Sequence, residues 1–176
     1  MAPTYESISN AYKTLGYPFK PFNVFGIRSE DYAANAFNDL VGWIDNKGNY
    51  ACYEATTDPG VRKDGIAIMK AGFYPGLYKM GTHKNNPKHP CLQQVGKALF
   101  YRIKGGKLFD PTTLISTNIG ANIHSTREDF TPERVDNFSL ACQVIRRWQT
   151  HLRFLVICRQ SGTKVFDYAL FQEKEV

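Results

Sequence analysis

A histidine and a cysteine on either side of a polar loop are the residues that could perform covalent chemistry in this sequence. His124 lies in the segment Ile123-His124-Ser125, and Cys142 follows after the polar stretch 126–137 and four further residues. A cysteine thiolate is a nucleophile, and a neighbouring imidazole can take the thiol proton and lower the thiol pKa. We therefore expect the sulfur and an imidazole nitrogen within about 4 to 5 Å of each other.

The residues alone leave two interpretations open. An inert buried cysteine and an ordinary surface histidine would give the same pair of residue types. The alternative is a catalytic pair, in which small residues before Cys142 let its backbone approach a substrate carbonyl and N–H groups hold the developing oxyanion.

The wider pattern resembles the signature of the L,D-transpeptidase catalytic domain, a family of cysteine-dependent cell-wall enzymes, and small phage-encoded versions in particular. That signature has a His, then a gap of similar length, then Ser/Thr-His-Gly-Cys. The match falls on His124, on Ser139 for the Ser/Thr position, and on Cys142 as the nucleophile. Upstream, Thr57-Asp58-Pro59-Gly60 is similar to the family's Thr-Pro-x-Gly loop.

The sequence departs from the signature around the cysteine. The family's second His and its Gly correspond to Leu140 and Ala141, and its Arg or Asn two residues after the Cys corresponds to Val144. Gln143 is the nearest polar group. A catalytically inactive domain of the same fold, serving as a wall-binding or virion structural module, is therefore the alternative function.

The resemblance implies a mainly β sandwich with few short helices and a reaction on peptidoglycan stem peptides. The cysteine attacks a carbonyl between L- and D-centres and forms a thioester. Water then gives hydrolysis, whereas an amine gives a cross-link. No metal or organic cofactor is implied. Because chains similar to phage proteins have reason to open a wall, we expect an endolysin-like hydrolase rather than a cross-linking enzyme.

Further roles follow from this interpretation. Ser139 is expected to orient the catalytic site. Ser125, Ala141 and Gln143 are expected to contact substrate. Arg127 and Arg134 lie between His124 and Cys142, and a guanidinium pairs well with a stem-peptide carboxylate. An ion pair within the loop, with Glu128 or Asp129, is the alternative role for these arginines.

A metal site receives less support from the spacing. His83, His89 and Cys91 provide three soft ligands within nine residues, but His-x-Cys is no common zinc motif and a fourth ligand is not evident. We expect no metal there.

Composition predicts the fold class. The chain has 176 residues, 14% aromatic residues, 14 Gly and 9 Pro, which favours short strands joined by turns. One domain fits this length, and we expect residues 23–176 to form it with residues 1–22 packed against it as an extension. The four cysteines contain no C-x-x-C pattern and are expected to be reduced.

The net charge, the apolar runs and the N-terminal residues limit the classes of partner and the location that we expect. The net charge of +6 favours an anionic partner, but no basic run and no recognised motif point to nucleic acid. No apolar run is long enough for a membrane span, and we expect a monomer. The first residues carry neither a basic nor an apolar signal region. We therefore expect synthesis in the cytoplasm and action at the bacterial wall after phage-type delivery or lysis.

The strands and helices that position His124 and Cys142 are predicted from turn residues and from the alternation of apolar and polar residues. Strands are predicted at 24–28, 65–69, 76–80, 98–103, 117–124 and 165–171, with a hairpin formed by 40–44 and 49–54. A helix is predicted at 146–155, and a helix start at Thr131-Pro132-Glu133. His124 would then end a strand.

Overall fold

The computed structural model of the protein describes residues 2–176, which contain eleven strands and two α-helices. The helices are α1 (Tyr5–Thr14) and α2 (Trp148–Gln160). The strands are β1 (Phe22–Arg28), β2 (Asp39–Asp45), β3 (Tyr50–Thr56), β4 (Ala67–Met69), β5 (Gly72–Thr82), β6 (Pro90–Gln94), β7 (Ala98–Arg102), β8 (Ile115–Thr117), β9 (Ile123–Ser125), β10 (Gln143–Ile145) and β11 (Val165–Gln172). The mainly β class predicted from the sequence is confirmed.

Eight of these strands close into a barrel in the order β1-β11-β5-β6-β9-β10-β3-β2, and β4, β7 and β8 form a separate three-stranded sheet. The antiparallel pairing of β1 with β2 completes the ring, and two of the neighbouring pairs, β1–β11 and β9–β10, run parallel. A closed barrel differs from the two open sheets of a sandwich because every barrel strand has a hydrogen-bonded neighbour on both sides.

The main core consists of apolar side chains that face each other across the barrel. Tyr78 and Tyr168 are wholly buried, with ring centroids 5.3 Å apart in an edge-to-face arrangement. Phe154, Leu155 and Cys158 on α2 pack against this cluster. The helix therefore packs against the part of the barrel that β9 and β10 form.

The first residues form a helix that packs on the outside of the barrel. Thr4 and Ser7 make a reciprocal capping box that starts α1. Ile8 and Tyr12 on α1 are buried against Phe25 and Phe171. The N-terminal extension predicted from the sequence thus contains a regular helix.

Most predicted strands are present, and the hairpin is β2 with β3. The predicted strand 117–124 is wrong as one element, because it is divided between β8 and β9, which belong to different sheets. A turn separates them, with Gly120 at φ 73°. The predicted helix start at 131–133 is also wrong. That segment is a loop, and only a 3₁₀ turn at Asp136–Phe138 follows it.

All four cysteines are free thiols, as the sequence predicts. Cys91 and Cys158 are buried, whereas Cys52 and Cys142 are half-buried. No helix in residues 2–176 is long and apolar enough to cross a membrane.

Candidate active site

Three segments of the barrel wall meet at the candidate site. His124 is the middle residue of β9, Cys142 directly precedes β10, and His83 directly follows β5. β9 and β10 are parallel neighbours with Gln143 opposite Ile123. Parallel pairing therefore places the residue before β10 beside the start of β9, although 18 positions of sequence separate His124 from Cys142.

The side chains of these residues form a compact cluster. The Cys142 Sγ, one ring nitrogen of His124 and one ring nitrogen of His83 all lie within 4.8 Å of one another. The rings of His83 and His124 are stacked, with centroids 4.0 Å apart and an interplanar angle of 27°. The structure thus brings Cys142 and His124 to the separation expected from the sequence and adds His83.

Backbone contact fixes which nitrogen of His124 carries the proton. The His124 Nδ1 lies 2.6 Å from the carbonyl oxygen of Ser125. Because a carbonyl only accepts hydrogen bonds, Nδ1 is the donor and Nε2 holds the free lone pair. His124 Nε2 is buried and has no hydrogen-bond partner among residues 2–176. This nitrogen is therefore available to accept the proton of a thiol.

The turn that carries Cys142 is held by its own hydrogen bonds. The Ser139 Oγ, which is fully buried, donates to the Cys142 carbonyl oxygen at 2.7 Å. The Gly60 N–H donates to the Ser139 carbonyl at 3.0 Å. A Cβ at Gly60 would overlap the backbone of Asp136. The loop that contains Gly60 therefore packs directly against the turn before the nucleophile.

Burial sets the resting protonation states. It raises the pKa of the Cys142 thiol to about 11, against smaller lowering effects of the Asn122 N–H and Lys84. It lowers the pKa of His124 to about 3 and that of His83 to about 4. The expectation that the imidazole lowers the thiol pKa is wrong, because desolvation of the sulfur outweighs the other effects. Thiol and imidazole are both neutral at pH 7.

A groove of about 760 Å³ opens beside Cys142. Its wall carries side-chain amides and two cations, together with Ala141 and Leu140 from the turn before Cys142. The amide residues are Asn85, Gln93, Gln94, Asn118, Asn122 and Asn137, and the cations are Lys84 and Arg102. A smaller adjoining pocket is lined by His83, His124 and Ser125. The cluster therefore lies where the groove and the smaller pocket meet.

Of Ser125, Ala141 and Gln143, the three predicted substrate contacts around the cluster, only Ala141 lines the groove, as expected for a residue near substrate. The Ser125 Oγ instead donates to the Ile145 carbonyl at 2.7 Å, so this residue acts through its carbonyl on His124. Gln143 is fully buried, and its Oε1 accepts from the Tyr168 hydroxyl at 3.3 Å inside the barrel. Gln143 does not reach the groove, because it points to the opposite side from Cys142.

The two predicted arginines do not line the groove or the adjoining pocket. Both are exposed, and the Arg127 guanidinium lies 5.4 Å from the centroid of the Phe130 ring. Within the described chain, neither arginine forms an ion pair with Glu128 or Asp129. The cations at the groove are instead Lys84 and Arg102.

Asn122 is a residue that the sequence analysis missed. Its Oδ1 accepts from the Gln94 N–H at 2.8 Å, which orients the amide, and its Nδ2 lies 3.2 Å from the Nδ1 of His83. The amide therefore donates to His83 Nδ1. Its position two residues before His124 was the available signal, because alternate residues of a strand share a face.

The other histidines have structural contacts. The His89 Nε2 lies 3.0 Å from the Thr126 carbonyl oxygen, and its ring stacks on Trp148 at 5.1 Å. Cys91 is buried in β6. Of the three soft ligands noted in the sequence, only His83 joins the cluster. His151 is wholly buried on α2.

No protein-family model, curated protein or solved structure matches this chain. The chemistry of the site is therefore argued from its own geometry.

Proposed function

We propose that this protein is a cysteine-dependent acyl-transfer enzyme of the L,D-transpeptidase type, with peptidoglycan stem peptides as substrates. The observation that carries the proposal is the contact between Cys142 and His124. The sulfur lies within 4.8 Å of a ring nitrogen of a histidine whose Nδ1 is tied to the Ser125 carbonyl. A nucleophile, a base and a group that orients the base are the three parts of such a site.

The reaction begins from the neutral pair. As the Cys142 sulfur attacks a peptide carbonyl carbon, its proton moves to His124 Nε2, and the carbonyl oxygen becomes an oxyanion. When the C–N bond breaks, the imidazolium returns this proton to the leaving amine, and a thioester remains on Cys142. His124 then takes a proton from water or from an acceptor amine as the oxygen or nitrogen of that molecule attacks the thioester carbon. The C–S bond breaks, the acyl group leaves on the attacking atom, and the imidazolium returns its proton to the Cys142 sulfur.

The backbone at Cys142 supports this sequence of steps. In this proposal the Cys142 N–H donates to the oxyanion. The bond from Ser139 to the Cys142 carbonyl fixes the orientation of this turn. Lys84 and Arg102 provide positive charge along the groove for the carboxylates of a stem peptide.

Hydrolysis is proposed ahead of cross-linking. The resemblance to small phage-encoded domains supports opening of a wall, and action at the bacterial wall belongs to the same proposal. The groove beside Cys142 carries several amide side chains and is accessible to water. In this form of the proposal, water is the second substrate and no cofactor takes part.

A second candidate function is a catalytically inactive wall-binding or virion structural module. Two observations favour it. Leu140 stands at the position of the family's second histidine and is 51% exposed at the groove. Burial also raises the pKa of Cys142, which disfavours its thiolate. The module would bind the same stem peptides without turnover.

The two functions are separated by incubating the protein with purified muropeptides and measuring product masses. Hydrolysis by the wild type, with the products absent for Cys142→Ala, supports the enzyme. Binding of muropeptides by both proteins, with no products from walls of several chemotypes, supports the module. Cys91→Ser is the matched control, because it removes a thiol that lies outside the cluster.

A further inference from the structure

The cluster of His83, His124 and Cys142 has a property that acyl transfer does not require. Its three ligand atoms come from three different segments and lie within 4.8 Å of one another. Two imidazoles and a thiolate are ligands typical of zinc, and three protein ligands with one open position are typical of zinc sites accessible to solvent. We propose that these residues form a site for a thiophilic divalent cation, Zn²⁺ above all.

His124 is already arranged as a metal ligand. Its Nδ1 donates to the Ser125 carbonyl, which is the outer-shell contact that metal-bound histidines commonly make. Its Nε2 is buried without a hydrogen-bond partner among residues 2–176. A metal ion would satisfy this lone pair.

Cys142 provides the sulfur ligand, and its position at the groove makes the site accessible to solvent. It lines the 760 Å³ groove, and so does His83, so an ion can enter from solvent and keep a water molecule in the fourth position. The ligand atoms of a tetrahedral zinc site are about 3.4 Å apart. Because the three ligand atoms lie within 4.8 Å of one another, the most distant pair needs to approach by about 1.4 Å at most on binding.

His83 requires the largest adjustment. The amide of Asn122 donates to its Nδ1, and this amide is oriented by Gln94. Coordination by either nitrogen of His83 gives up this hydrogen bond, because Asn122 Nδ2 cannot accept a proton from Nδ1. A carboxylate at position 122 would accept that proton and leave Nε2 free for the metal. The structure thus predicts that Asn122→Asp tightens metal binding.

The choice of ion follows from the donor set. No carboxylate belongs to the cluster among the described residues, so Mg²⁺ and Ca²⁺, which prefer oxygen ligands, are poor fits. On binding, the Cys142 thiol releases its proton to solvent and a metal–sulfur bond forms. The ion then occupies both the nucleophile and the base.

The regulatory consequence rests on the proposed function. A metal-loaded protein cannot begin thioester formation, because the sulfur and His124 Nε2 are both coordinated. Zn²⁺ is therefore a reversible inhibitor of acyl transfer, and a chelator restores turnover. Metal binding itself does not depend on whether the protein is an enzyme.

The test is a titration of untagged, reduced protein with Co²⁺, followed by displacement with Zn²⁺. We expect an intense near-ultraviolet band from a cobalt–thiolate bond and one ion per chain. Cys142→Ser should abolish this band, and His83→Ala and His124→Ala should each weaken Zn²⁺ binding more than tenfold. Asn122→Asp should strengthen it by about 10- to 100-fold. Cys91→Ser is the matched control and should leave the band intact.

Other outcomes overturn the proposal. These are no cobalt–thiolate band in the wild type, a band that survives Cys142→Ser, or unchanged affinity in His83→Ala. Turnover that requires Zn²⁺ and stops with a chelator would overturn the inhibitory role. If the muropeptide assay shows no activity while the cobalt band forms, the proposed function fails and the metal site stands.

Discussion

His151 gives this fold a defined sensitivity to acid. The ring is wholly buried on α2, between Trp148 and Phe154, at centroid distances of 6.2 and 6.5 Å. Both of its nitrogens lack a hydrogen-bond partner among residues 2–176. Burial lowers the His151 pKa from 6.5 to about 3, so the folded protein keeps this ring neutral where the unfolded chain protonates it.

The sign and the size of the effect follow from linkage. Well above pH 6.5 neither state binds the proton, and His151 contributes almost nothing to the pH dependence. As pH falls from 6.5 towards 3, the unfolded state binds more protons and the free energy of unfolding decreases. The predicted loss is roughly 2 kcal/mol by pH 5 and roughly 4 to 5 kcal/mol below pH 3.

His151→Leu removes this contribution and retains an apolar side chain of similar size. Urea unfolding followed by far-ultraviolet circular dichroism at pH 7, 6 and 5 measures the free energy of unfolding. Between pH 7 and 5, the variant should lose about 2 kcal/mol less than the wild type. Phe154→Leu is the matched core control and should lower stability equally at each pH. Parallel pH curves for wild type and His151→Leu would refute the reasoning.

The remaining predictions concern the candidate site. His124→Ala should lower the muropeptide turnover rate by about 10²- to 10⁴-fold through loss of the base, whereas Ser139→Ala should lower it by about tenfold through loss of one hydrogen bond; equal losses would contradict the assigned roles. Iodoacetamide should label Cys142 faster than Cys52, whose pKa burial also raises to about 11, and His124→Ala should remove the difference, as peptide mass mapping would show. Gly60→Ala should lower the free energy of unfolding by about 1 to 3 kcal/mol and the turnover rate by roughly 10- to 100-fold, since an added Cβ displaces the turn before Cys142. An unchanged turnover rate would exclude an effect of the Gly60 loop on the position of Cys142.

The parts of the fold that the sequence predicts are those encoded by residues close together along the chain. Asp45 accepts backbone hydrogen bonds from Lys47 and Asn49, so the turn between β2 and β3 is encoded within five residues. The strands β6, β9 and β10 are short, and their pairing depends on distant partners such as Leu92 with Ile123. Their alternation is too brief to show in the sequence.

The sequence likewise predicts only part of the candidate site. His124 and Cys142 are recognisable because their types and spacing match a known arrangement. His83 lies 41 positions before His124, and the strands that carry the two residues are linked through long-range pairing of β5 with β6 and of β6 with β9. The face on which Gln143 lies is set by the register of β10 against β9, which no local pattern specifies.

The most direct test of the central claim is the mass of the protein after reaction with a stem tetrapeptide and an acid quench, which preserves thioesters. The account predicts one acyl adduct, equal to the peptide without its leaving amine, that maps to Cys142. The adduct should be absent in Cys142→Ala and retained in Cys91→Ser. An adduct on another residue, or turnover of the peptide by Cys142→Ala, would contradict the assignment of Cys142 as the nucleophile.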